Sequence, residues 1–305
     1  MAISSMGNVL QDLRFTLQLQ TDTLNDAQLL KQFIEHSDET AFATIVRRHG
    51  SMVMGVCRRL VQNPHDAEDA FQATFLILAR KAASLANREL LANWLYGVAF
   101  RTALKARAIN MRRRTKEKQL AALPDLAAGE PAGVGDELLA HLDRELSRLP
   151  EKYRVPILLC DLEGMTRKQA AALLHCPEGS LSSRLARAKA MLARRLVRNG
   201  AMVSGASLAA VLQDAASAGV PSRVFASTTK SVALQVAGGV AARAISPKIV
   251  TLVERRVRLT DFRLRSIGQR SLRSRSTPRP NRHATSVAFA SRSRPLRSDG
   301  GGGRH

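Results

Sequence analysis

The sequence predicts an all-α protein: two small helical domains joined by a flexible linker, followed by a largely disordered C-terminal extension. Three observations predict it. Apolar residues recur at helical spacing through residues 26–114 and again through 136–198. Between the blocks, Leu123-Pro124-Asp125 and the Ala/Gly/Glu/Pro run from Ala128 to Gly135 break that period with turn formers. Finally, the chain is 45% hydrophobic but only 4% aromatic, and its abundant Ala, Leu and Arg favour small helical domains over sheets.

In the first block, Phe42, Ile45 and Val46 are followed by Met52, Val53, Val56 and Leu60 on one helical face. Asn63-Pro64 is a helix start. Asn63 can cap, and Pro64 suits the first position, where a missing N–H costs nothing. Asp66, Glu68 and Asp69 then crowd the positive end of the helix dipole, and Phe71, Phe75 and Leu78 continue the helix. A further helix holds Trp94, Leu95, Val98 and Leu104.

The second block carries the more specific local signal. Leu142, Leu146, Leu149, Tyr153, Ile157 and Leu158 build supporting helices. Thr166 and Gln169 form a capping box, which satisfies two orphan donors of the next helix. His175-Cys176 turns the chain at a position that favours glycine, and Pro177 restarts a helix. Leu181, Leu185, Ala188 and Leu192 make one apolar stripe. The opposite face presents Ser180, Ser182, Ser183, Arg184, Arg187 and Lys189, the short hydroxyls and cations that a major-groove helix needs. The competing reading is a solvated basic face on an ordinary helical hairpin.

A net charge of +22 attracts polyanions. It is uneven: residues 254–305 hold fourteen Arg and no Lys against Glu254, Asp261 and Asp299, half of the excess. Cys57, Cys160 and Cys176 are far apart and form no CxxC, so neither a disulfide framework nor a zinc site is expected. Residues 1–20 lack the basic start and apolar run of a secretory signal, and no apolar stretch is long enough to span a bilayer, so a cytoplasmic location is expected. No phosphate-binding glycine loop, GxSxG or HExxH occurs, so no catalytic residue, metal or cofactor is expected. His49, His65 and His175 show no ligand-like partners in sequence.

Several motifs together carry a resemblance. Leu149-Pro150-Glu151-Lys152-Tyr153-Arg154, Asp161-Leu162-Glu163-Gly164, Pro177-Glu178-Gly179-Ser180 and Ser183-Arg184-Leu185 resemble region 4 of sigma-70 family RNA polymerase sigma factors. The run Asp66 to Phe75, DAEDAFQATF, and Trp94-Leu95-Tyr96-Gly97-Val98-Ala99 with Arg101 resemble region 2. Nothing like regions 1.1 or 3 is seen, which points to the extracytoplasmic-function (ECF) group. The Arg47-Arg48-His49-Gly50 wording, with Phe71 to Leu76, is similar to versions abundant in planctomycetes. The resemblance covers about residues 26–198.

The resemblance implies a sigma factor that binds core RNA polymerase and promoter DNA, with an anti-sigma factor as a further candidate partner. Asp66, Glu68, Asp69, Gln72 and Phe75 fall where the family docks on a coiled coil of the polymerase, though Phe75 competes as a core residue. Arg88, Trp94, Arg101, Lys105, Arg107, Arg112 and Arg113 fall where it holds the −10 element as single strand, with Arg114, Lys116 and Lys118 extending the cations. Trp94 stands either to stack a base or to fill core. Ser180, Ser183, Arg184 and Arg187 fall where it reads the −35 duplex. Ser182 stands where the family commonly shows Lys, and Arg167-Lys168 replaces an acidic pair, so the promoter sequence stays open.

Two rival readings remain at this level: a stand-alone helix-turn-helix regulator that binds DNA without polymerase, and an RNA-binding helical protein, for which only charge argues. Residues 199–253 form an Ala-rich extension of weak periodicity, which either regulates the rest or contacts another protein. Residues 254–305 read as a disordered basic tail. The tail is either a natural extension that adds nonspecific DNA affinity or the product of a frame shift near Lys248–Arg255, which resequencing the gene decides.

Overall fold

The computed structural model describes residues 23–85, 88–120, 134–198, 218–238 and 246–254, with isolated positions between 208 and 216. Among the described residues every regular element is helical. The predicted basic tail, beyond Glu254, lies outside them, as does residues 121–133 of the predicted linker.

Local capping explains where the first elements begin. Helix α1 (Asp26–His36) opens on a capping box: Asn25 accepts from the Gln28 N–H, and the Gln28 side chain accepts from the Asn25 N–H. Asp38 starts α2 (Glu39–Leu60) by accepting from the N–H groups of Thr40 and Ala41. Helix α3 (Pro64–Lys81) starts as its sequence predicts, with Asn63 accepting from the N–H groups of His65 and Asp66 and Pro64 in the first turn. A short 3-10 turn, Ala82–Ser84, leads toward α4 (Leu91–Leu120), which runs beyond residue 114 into the stretch predicted as linker.

Helix α2 is the centre of the first block. Phe42, Ile45, Val46, Met52, Val53, Val56 and Leu60 are all buried, as their spacing predicts. Phe33, Phe42, Phe75 and Phe71 form a chain of rings with centroid separations of 4.6, 6.4 and 5.0 Å.

The second block comprises α5 (Val134–Arg148), α6 (Glu151–Ile157), α7 (Arg167–Leu173) and α8 (Glu178–Arg198). Helix α6 ends in a π-type turn over Leu158–Leu162, two residues after Pro156. Gly164 follows with φ +70°, a conformation that side chains resist.

The two blocks, predicted as domains apart, share one core. Leu142, Leu146 and Leu149 of α5 and Leu185, Ala188, Leu192 and Leu196 of α8 belong to the same buried cluster as α2, α3 and α4. The described residues fall within one compact unit. The cause is the character of α5: its buried face carries leucines for the first block and an acid, Asp143, that meets a buried arginine there.

The Ala-rich extension also contributes an element. Pro221 precedes α9 (Ser222–Ala237), which buries Val224, Thr228 and Val232 at i, i+4 and i+8 against α2 and α3. Residues 247–254 are helical too, and bury Ile249, Leu252 and Val253.

Candidate nucleic-acid interface

Helices α7 and α8 form the predicted helix-turn-helix. Thr166 and Gln169 make the expected capping box on α7. At its other end the Cys176 N–H donates to the Ala171 carbonyl at 3.1 Å and the His175 N–H to the Ala172 carbonyl at 3.2 Å. This is a Schellman closure, and it puts His175 in the left-handed region at φ +48°. Helix α8 begins at Glu178, so Pro177 precedes its first turn, accepting with its carbonyl from the Leu181 N–H.

The α8 stripe Leu181, Leu185, Ala188 and Leu192 is buried, and Ser180, Ser183, Arg184 and Arg187 stand exposed on the other side. Ala186 and Ala190 are exposed as well. Two predicted contacts differ in character. Ser182 is half-buried. Lys189 is half-buried and pairs with Asp161 at 2.7 Å, so its charge braces α8 against the π-turn rather than standing free. The Ser183 hydroxyl donates back to the Gly179 carbonyl at 2.9 Å. Sequence reasoning missed Lys152: α6 brings its exposed ammonium end and Tyr153 to a concavity shared with Gly179, Ser180, Ser183, Arg184 and Arg187. Only the packing of α6 on α8 reveals that neighbour.

Helix α4 carries the second set of cations. Arg112 and Arg113 are exposed with Arg114 and Lys116, and Met111 and Ile109 lie exposed among them. Arg101, Lys105 and Arg107 are half-buried. The Arg101 side chain folds back over Gly97: a Cβ added there would lie 3.3 Å from its Nη1. Its buried Nε has no hydrogen-bond partner. Trp94 is half-buried and packs on the core, leaving only part of the ring for any base. Arg88 lies in a bend just past residues 86–87, which are outside the described set, and Lys118 has no described side chain.

The acidic start of α3 holds Glu68, Asp69 and Gln72 half-buried and Asp66 nearly buried. Burial pushes the Asp69 carboxyl up against the pull of Lys248, and the charges of Asp66 and Glu68 add to the rise. Phe75 corrects an expectation: it is 0% exposed between Phe42 and Phe71, so it seats α3 in the core and offers no surface to a partner.

Two buried polar clusters join the blocks. The Arg59 guanidinium donates to Asp143 at 2.7 and 3.1 Å, and the Tyr96 hydroxyl donates to the Asp143 carbonyl at 3.0 Å. His49, for which the sequence showed no partner, is fully buried between Asp26, 2.9 Å from Nε2, and Glu163, 2.5 Å from Nδ1. Burial disfavours the His49 imidazolium. The charges of Glu163 and Asp26, and the hydrogen bonds to them, outweigh it and raise the pKa to about 10. Arg154 adds a third link, donating to Asn93 at 2.9 Å.

A helix-turn-helix with an exposed cationic face, set on a helical bundle with one acidic helix start and one basic helix, fits a DNA-binding protein of transcription. Residues 45–116 match the family described as Sigma-70 region 2, and residues 139–192 match Sigma-70, region 4. The chain is 30% identical over 172 residues to the ECF RNA polymerase sigma factor SigM of Mycobacterium tuberculosis, covering 56% of this chain and 85% of that protein. It is 26% identical over 182 residues to the RNA polymerase sigma-H factor of Pseudomonas aeruginosa, covering 56% and 93%. With the ECF RNA polymerase sigma-E factor of Escherichia coli it shares 28% over 173 residues, covering 53% and 90%. The chain belongs to the ECF group of the sigma-70 family. It is therefore a non-catalytic regulator with a general role in transcription initiation. Among the described residues no helix is long and apolar enough to cross a membrane.

Proposed function

We propose that the protein binds core RNA polymerase and directs it to specific promoters, with α3 docking on polymerase, α4 holding the opened −10 strand and α8 reading the −35 duplex. The observation that carries this reading is the α8 face. Ser180, Ser183, Arg184 and Arg187 are exposed while the stripe behind them is buried, so the recognition helix is both rigidly seated and free to enter a major groove. Phosphate contacts from Lys152 and the serines set register, and the arginines reach base edges. Cations along α4 from Arg107 to Lys116 cover roughly 14 Å of helix, a rail for a few nucleotides of single strand.

Strand opening in this scheme draws on binding energy alone, in the cytoplasm where polymerase works. An anti-sigma factor remains the expected class of regulatory partner, and the Arg47-Arg48-His49-Gly50 wording supports a planctomycete-like subgroup. In vitro transcription with bacterial core polymerase on promoter fragments from the same genome tests the reading. Start-specific transcripts that vanish with Arg184→Ala and Arg187→Ala are expected. Folded protein that gives no transcript and binds no core, yet grips duplex DNA by itself, would establish the stand-alone regulator instead.

A further inference from the structure

Helix α9 does not pack at random. Arg223 pairs with Glu68 at 2.6 Å, the Gln72 amide donates to the Ser227 hydroxyl, and Arg80 donates to Gln235 at 3.2 Å. Each of these pairs is separated by 155 residues. A constant offset means that α9 runs parallel to α3, in register, for three turns. Gln235 closes the far end by donating to the Leu76 carbonyl at 3.3 Å. The 247–254 helix completes the cover, with Lys248 3.3 Å from Asp66 and exerting its charge on Asp69.

We propose that α9 (222–237) and the 247–254 helix are an intramolecular cap over the docking face of α3, which must lift before that face can take core polymerase. The proposal rests on reading α3 as the polymerase-docking helix. Of the polar residues assigned to docking, Asp66, Glu68 and Gln72 each hold a cap side chain, and Asp69 lies in the field of Lys248. Two partners cannot use these groups at once.

The cap is held by a modest apolar contact. Among the described residues its fully buried side chains are aliphatic or Thr, namely Val224, Thr228, Val232, Ile249, Leu252 and Val253, and its one ring on the core, Phe225, is only half-buried. Arg223 and Lys248 are 69% and 54% exposed, so their ion pairs guide the fit more than they hold it. The aromatic cluster of the first block, Phe33, Phe42, Phe71 and Phe75, is made without a ring from the cap.

A covered face lowers apparent affinity by the fraction of molecules that are open. Full-length protein carrying R223E and K248E, two exposed charge reversals, is therefore expected to bind core polymerase about 10-fold tighter than the parent. V232D, which puts a carboxylate under α9, is expected to do the same without changing any residue of the ion pairs. Hydrogen exchange on the parent with core polymerase supplies the direct readout. Expected is loss of protection over 222–237 and 247–254 together with gain over α3. Unchanged affinity in R223E/K248E, with 222–237 and 247–254 still protected and α3 newly protected in the complex, overturns the cap and leaves the docking reading standing. A complex that forms with no change over α3, or no complex with any variant, overturns the docking reading and the cap with it.

Discussion

Arg59 and Asp143, 84 residues apart, form a two-point ion pair with side chains 7% and 0% exposed, where α2 meets α5. Both charges are out of water, and the pair persists because each group has a full set of partners: the Tyr96 hydroxyl also lies 3.2 Å from Asp143 Oδ1. Removing one partner strands the other. Asp143→Ala is expected to destabilise the protein by about 3–5 kcal/mol in urea denaturation, and the double replacement Arg59→Met/Asp143→Leu to recover much of that loss. A loss under about 1 kcal/mol for Asp143→Ala would show that the blocks do not close on this pair in solution.

The His49 cluster gives stability a pH dependence of definite sign. A raised folded-state pKa means that the folded protein holds a proton the unfolded chain releases near pH 6.5. The contribution is complete below that value and fades as pH climbs toward about 10. Urea midpoints should fall across this window in the parent, and His49→Gln should flatten the slope. On the acid side, burial opposes the Asp26 carboxylate, but His49 and Arg48 hold its pKa below the ordinary value. Its contribution is lost as pH drops through that lowered pKa, so the same titration should show a second decline below about pH 4.

Ser182 sits half-buried on the flank of the α8 face. Ser182→Lys is expected to strengthen binding to duplex DNA of any sequence and to steepen the slope of log K against log salt by about 1. Arg184→Ala is expected to cost about 1–3 kcal/mol on the preferred promoter and to relax its sequence preference. Fluorescence titrations over a range of salt separate the two behaviours.

The turn at His175 stores local strain. At φ +48°, His175→Gly removes the clash of Cβ with the backbone and is expected to stabilise the protein by about 1 kcal/mol, less the greater freedom of glycine in the unfolded chain. Gly164→Ala, at φ +70° with open space around it, is expected to do the opposite by about 1–2 kcal/mol. Thermal melts of the two variants should shift in opposite directions.

Much of this arrangement is legible in the sequence because its causes are local. Asn63-Pro64, the Thr166/Gln169 box and the Leu181 to Leu192 stripe act over three to eleven residues, and periodicity reports them. Lys189 shows the limit: its place on the helix is readable, its pairing with Asp161 is not. The links between blocks, His49 to Glu163 and Arg59 to Asp143, join residues 114 and 84 positions apart, and no spacing rule reaches that far. Helix α9 escaped for another reason. Val224, Thr228 and Val232 do repeat every four residues, but Ala and Ser between them blur the contrast between faces. Pro221 ahead of that repeat is the signal that marks it.

A cover tethered to the surface it hides has a local concentration set by the length and stiffness of the tether, not by the amount of protein. With the proposed cap, every copy of the protein would be born with its own inhibitor in equal number, whatever the rate of synthesis. Overproduction cannot titrate it away, as happens when an inhibitor is a separate molecule. As a cap, the parallel seating of α9 along α3 would make the fraction of active molecules independent of gene dosage and leave total activity proportional to abundance.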